Sequence, residues 1–112
     1  NLLMKEFGDN PFIGYWHDFG HIQRKHNLLI LNHEQFLRRM SSHLIGGHVN
    51  DVKWPARDHQ VPLLGGVVPF ERLLPFFPHG VPLVWELSSR VSSEDIRAAR
   101  KLWMEKFPQT LA

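Results

Sequence analysis

Short unbroken apolar runs alternate along this chain with stretches in which apolar residues recur at helical spacing. Phe12-Ile13-Gly14-Tyr15-Trp16, Leu44-Ile45-Gly46-Gly47-His48-Val49 and Val81-Pro82-Leu83-Val84-Trp85-Glu86-Leu87 are each the length of a strand. They lack the in-out alternation of a strand with one wet face, so they predict buried parallel strands. Asn32 is placed to cap a helix, with Gln35 three residues on. Phe36, Leu37, Met40 and Leu44 give that segment one apolar face. Pro69 to Phe77 predicts a short helix with Pro69 in its first turn and Pro75 limiting its length. Ser92, with Asp95 at the reciprocal position, caps a last helix whose face carries Ile96, Ala99, Trp103 and Phe107 and which Pro108 ends. Ahead of the first run, residues 1–8 read as a helix tail closed by Gly8, and Asp9-Asn10-Pro11 as a turn. Residues 22–31 predict irregular chain, and Val52 to Gly66 a polar loop rich in Pro and Gly.

The order is therefore β-α-β-α-β-α, which implies parallel pairing through right-handed crossovers. The expected class is α/β, with residues 1–112 forming one partial domain and its helices on the outside of the sheet. Parallel strands buried on both faces need more cover than this chain supplies. A complete (β/α)₈ barrel takes about 250 residues, and the chain has 112. With no Met at position 1, the chain is expected to begin inside a longer protein.

Composition narrows the classes. The chain is 43% hydrophobic and 21% charged, which is globular and not disordered. A net charge of +2 gives nucleic-acid binding no electrostatic help. There are no cysteines, so disulfides and thiolate metal sites are excluded, and a reducing, cytoplasmic setting is expected. No apolar run approaches the roughly 18 residues of a membrane span, and the N-terminal stretch lacks a signal-peptide layout.

Candidate chemistry sits where the strands end. Asp18, His48 and Glu86 each close one of the three apolar runs, His48 following Asp18 by 30 residues and Glu86 following His48 by 38. Parallel strands open their C-terminal ends on one rim, where α/β sheets build their sites. Three side chains at equivalent heights there can converge on one ion. Two carboxylates and an imidazole suit Mn²⁺, Zn²⁺, Co²⁺, Fe²⁺ or Mg²⁺. A charge placed directly after a buried run such as Leu83-Val84-Trp85 costs free energy unless it has a partner, and a cation is one. A fourth ligand would come from outside these residues.

The segments Ile13 to His21, Gly47-His48-Val49-Asn50-Asp51, Pro62 to Phe70 and Leu83-Val84-Trp85-Glu86-Leu87 together resemble the last three strands of the xylose-isomerase-like superfamily. That group spans sugar epimerases, hydroxypyruvate isomerases, inosose dehydratases and apurinic-site endonucleases. The resemblance covers Pro11 to Phe107 and implies strands six to eight of a (β/α)₈ barrel. By position, Asp18, His48 and Glu86 resemble the ligands of strands six, seven and eight, and the fifth-strand glutamate would precede Asn1. His21 resembles the family histidine that contacts substrate, or a further zinc in the endonucleases, and it fits a solvated loop histidine equally well. The chain departs from the frequent Asp-x-His of the seventh-strand loop: Asp58 stands in place, but Gln60 takes the histidine position and His59 comes one residue early. Leu64 replaces the first glycine of the turn that follows. The endonucleases use that histidine for a further zinc, so its loss favours the sugar branch.

The resemblance implies a divalent-metal-dependent isomerase or epimerase acting on a sugar, sugar phosphate or keto-sugar. Proton transfer would run through a metal-stabilised enediolate. Glu86 would be both ligand and acid/base, opposite the fifth-strand glutamate, with Asp18 and His48 as ligands only. His21, Trp54, Asp58 and His59 are candidate substrate contacts, although Asp58 and His59 also fit a solvated loop. Trp16 and Trp85 read more readily as core. The alternatives are a dehydratase or hydrolase on the same barrel, or a non-catalytic module that pairs its open edges with another chain. The expected partners are a small sugar substrate and either the rest of the barrel or a second copy of the chain, with no membrane and no nucleic acid.

Overall fold

The computed structural model describes residues 14–110. The expected helix tail, the turn after it and the start of the first apolar run lie outside the described residues. Strand β1 (Tyr15–Asp18) leads directly into helix α1 (Phe19–Asn27), and α2 (His33–Met40) leads to β2 (Leu44–Val49). Two short strands follow, β3 (Asp51–Lys53) and β4 (Arg57–Gln60), then α3 (Phe70–Leu73), β5 (Leu83–Trp85) and α4 (Ser93–Lys106). β1, β2 and β5 form a parallel sheet in that order. The fold is mixed α/β around this small parallel sheet, as the alternating pattern predicts. Among the described residues no helix is long and apolar enough to cross a membrane.

Three segments differ from the sequence expectation. Residues 22–27, expected as irregular chain, belong to helix α1. Asp18 caps this helix by accepting the His21 N–H at 2.9 Å. Arg24, Lys25 and His26 lie in its last turn, where the macrodipole favours cations. The segment 52–66 is not all loop, because β3 and β4 pair antiparallel. The last strand is shorter than its apolar run. Its ladder nevertheless extends at both ends: Gly47 N–H donates to the Pro82 carbonyl at 3.0 Å, and Glu86 N–H donates to the Val49 carbonyl at 3.1 Å. That second bond fixes Glu86 at the strand end. The expected caps are present: Asn32 accepts from Gln35 N–H at 2.9 Å, and Ser92 from Asp95 N–H at 3.1 Å.

One face of the sheet is the core. Val49, Leu83 and Trp85 meet Phe19, Leu37, Phe70, Leu73, Trp103 and Phe107 from the helices. The Phe19 and Phe77 rings stack with centroids 5.2 Å apart. Trp85 is half-buried against Trp103. Trp16, expected in the core, lies instead on the opposite face and is 38% exposed. Its ring lies over Gly46, where a Cβ would collide with it. Val84 shares that open face and is 49% exposed.

The core also carries a chain of polar groups, with His17, His33 and Gln23 buried and Tyr15 and Asn27 half-buried at its ends. Tyr15 Oη lies 3.0 Å from His17 Nδ1, and His17 Nε2 lies 2.8 Å from His33 Nε2. His33 Nδ1 lies 2.7 Å from Gln23 Oε1, and Gln23 Nε2 donates to Asn27 Oδ1 at 2.9 Å. Gln23 Oε1 can only accept, so the His33 Nδ1 carries a proton. With neutral rings, His17 Nε2–H then donates to His33 Nε2, and the Tyr15 hydroxyl donates to His17 Nδ1. Burial pushes that hydroxyl above the usual phenol range, and the Asp18 charge adds to the effect.

The chain after β2 is anchored by Asp51. This buried carboxylate accepts the N–H groups of Val52 at 2.8 Å and Val68 at 2.9 Å. Burial raises its pKa, and those amide donors hold it back. A Cβ at Gly66 would occupy the space of this carboxylate. Gly66→Ala is therefore expected to destabilise the fold by at least about 2 kcal/mol, because the displaced carboxylate leaves buried donors unsatisfied. Denaturant unfolding of the variant measures this, and an unchanged midpoint would contradict it.

Candidate metal centre

The open face of the sheet carries the rim chemistry. Asp18 is the last residue of β1 and the register partner of His48 on β2. The residue level with His48 on β5 is Val84, and Glu86 stands two positions further along. The three side chains are therefore not at equal heights, as the strand-end pattern suggested, but they still meet. One ligand atom from each of Asp18, His48 and Glu86 lies within 4.8 Å of the others. His48 Nδ1 is 3.1 Å from Glu86 Oε2.

That contact needs a proton between nitrogen and oxygen, and an ion can take the proton's place. Around an ion bound at about 2.0–2.2 Å, ligand atoms stand about 3–4 Å apart. The cluster thus needs only small side-chain adjustments to close on a cation. Asp18 gives one oxygen to the helix cap and has a second to offer. The donor set, two carboxylates and one imidazole, fits a divalent ion of the Mn²⁺, Zn²⁺, Co²⁺ or Mg²⁺ kind.

The hairpin β3–β4 brings two more residues to the rim. His59 Nε2 is 3.1 Å from Glu86 Oε1, and His59 Nδ1 is 3.3 Å from Asp58 Oδ1. Asp58 Oδ2 accepts from Arg24 Nη1 at 3.0 Å, which ties the hairpin to α1. Partial burial works against charge on His59. The Asp58 hydrogen bond, with the charges of Asp58, Asp18 and Glu86, outweighs burial and raises the imidazole pKa. The His59 hydrogen bond in turn lowers the Asp58 pKa.

The other candidate contacts divide. His21 meets Asp18 through its backbone N–H, and it lines a cleft of about 340 Å³ with Tyr15, Trp16, Lys25 and Phe36. Trp54 lies in the hairpin turn, and among the described residues no hydrogen bond or ring contact joins it to Asp18, His48 or Glu86. Trp16 does reach the cluster, with its ring centroid 5.3 Å from that of His48. Nothing in the residue pattern marks Trp16 as a rim group except its alternation with His17, whose side chain is fully buried.

The chain matches no family model, and no curated protein matches it either.

Proposed function

We propose that this chain forms the last three βα units of a xylose-isomerase-like barrel and contributes three ligands to the metal site of a sugar isomerase or epimerase. The observation that carries this reading is the open sheet face. On each strand the residue two positions before the candidate ligand, on the same face, is apolar or glycine, Trp16 before Asp18, Gly46 before His48 and Val84 before Glu86, and the Asp18–His48–Glu86 cluster closes the strand ends. Apolar layers beneath a ring of polar groups at the strand ends are how a closed barrel is filled. The remaining strands would come from the preceding part of a longer chain or from a second copy.

A divalent ion bound there supplies polarisation of a substrate carbonyl and its neighbouring hydroxyl. Asp18 and His48 hold position, and the Glu86 carboxylate moves the proton on the carbon between those groups. The cleft beside Asp18, about 340 Å³, gives room for a small polyol.

Two measurements test the reading. The isolated chain is expected to bind Co²⁺ or Mn²⁺ weakly, because it offers three ligands of a larger set. Tight one-to-one binding would contradict the shared site. The full-length, metal-loaded protein is expected to exchange a carbon-bound proton of a keto-sugar with deuterated solvent. Sugar turnover without such exchange would point to hydride transfer and overturn the proton-transfer mechanism.

A further inference from the structure

We propose that His59 is a positioning residue for Glu86, holding its carboxylate so that one oxygen alone faces His48 and Asp18. The inference rests on the metal-centre reading above and adds a residue that the ligand cluster does not contain. Glu86 divides its two oxygens: Oε2 faces His48 at 3.1 Å, and Oε1 faces His59 at 3.1 Å. A carboxylate with both oxygens free can swing or grip an ion with both. An N–H donor on Oε1 removes that choice, which is how outer groups commonly orient metal ligands.

His59 is itself held at two points besides its contact with Glu86. Its carbonyl accepts the Ser88 N–H at 2.8 Å, so its backbone is bound to the loop that follows Glu86. Its Nδ1 meets Asp58 Oδ1 at 3.3 Å, and Asp58 is gripped by Arg24. Arg24 belongs to α1, the helix capped by Asp18. A line of side chains therefore runs from one candidate ligand, Glu86, through His59, Asp58 and Arg24, to the helix that another candidate ligand caps.

The His59 backbone has φ 52°, in the left-handed region that a residue with a Cβ rarely adopts. Such a conformation persists where surrounding contacts over-determine it, and these cluster at functional sites. Here the Ser88 bond supplies the hold, and the result is an imidazole aimed at Glu86.

That φ also makes the test clean. Glycine and asparagine both tolerate the left-handed region, so His59→Gly and His59→Asn remove the imidazole without forcing the backbone to move. The test is Co²⁺ titration of the full-length protein, followed by visible absorption, with circular dichroism to confirm the fold. Both variants are expected to bind Co²⁺ about 10- to 100-fold more weakly and to show altered absorption bands, because Glu86 gains its second oxygen for the ion. Asp58→Asn is expected to shift the same bands in the same direction while leaving the imidazole present. Affinity and bands identical to the unsubstituted protein in all three variants would overturn the positioning role alone. No Co²⁺ binding by the unsubstituted protein would overturn the metal reading and this inference with it.

Discussion

Lowering the pH from 7 to 5 is expected to destabilise the folded protein by about 4 kcal/mol, through two buried imidazoles. Burial pushes His17 down to about 2 and His33 down to about 3, and each has a neighbouring imidazole, His33 and His26 respectively, that lowers it further. Both lie below the ordinary value near 6.5, so between these limits the unfolded chain takes up protons that the folded chain refuses. The stability they confer is fully present above about pH 6.5 and falls as pH falls through it, by about 1.4 kcal/mol per unit for each ring. Against a typical total of about 5–15 kcal/mol, a loss of that size is enough to bring a marginal fold near its midpoint. Asp51 works the other way: its raised pKa favours the folded state as it protonates. Denaturant midpoints at pH 7, 6 and 5 measure the slope. His33→Gln is expected to halve it, because one titrating ring remains. A flat profile would show that the two imidazoles stay reachable by protons in the folded state.

If the proposed function holds, Glu86→Gln is expected to reduce turnover of the full-length protein by about 10³-fold or more, because in that reading the variant loses both an anionic ligand and the group that moves the proton. The amide is nearly isosteric, so the hydrogen bond from Glu86 N–H to Val49 and the sheet end are expected to remain. Asp18→Asn provides the contrast. It retains an oxygen that can cap α1, and it is expected to weaken metal binding without removing the proton-transfer group. Added metal should therefore recover much of the activity of Asp18→Asn and little of that of Glu86→Gln. Equal recovery of both would leave Glu86 with no role beyond ligation. The readouts are the rate of solvent deuterium exchange and its dependence on metal concentration.

The parallel sheet was legible because an apolar run marks each of its strands: Leu44–Val49 matches its run residue for residue, β5 lies inside its run, and β1 begins within its run and continues past it through His17 and Asp18. The Asn32 and Ser92 caps were legible because a helix start needs an acceptor side chain for its free N–H groups. Helix α1 was not, because part of the face it buries is Gln23, a polar residue that a hydrophobic pattern counts as surface. His17 and His33 were missed for the same reason, since each is satisfied only by a partner distant in sequence. The hairpin had no signal because Arg57-Asp58-His59-Gln60 has no apolar face. Its inner end pairs with the buried Asp51, and its outer end reaches the rim through Asp58 and His59. The three candidate ligands were readable from the strand ends alone. The part played by His59 was not, because it depends on a left-handed backbone and on a loop that sequence spacing leaves undefined.

The indole of Trp16, set over Gly46 with its centroid 5.3 Å from the His48 ring, gives the cluster its own optical reporter. An ion held by the His48 ring is a new charge placed beside the indole, and an indole's emission responds to a charge that close. Filling the centre with zinc should therefore change the emission of this one residue, and Trp16→Phe should erase the change while the light from Trp54, Trp85 and Trp103 persists.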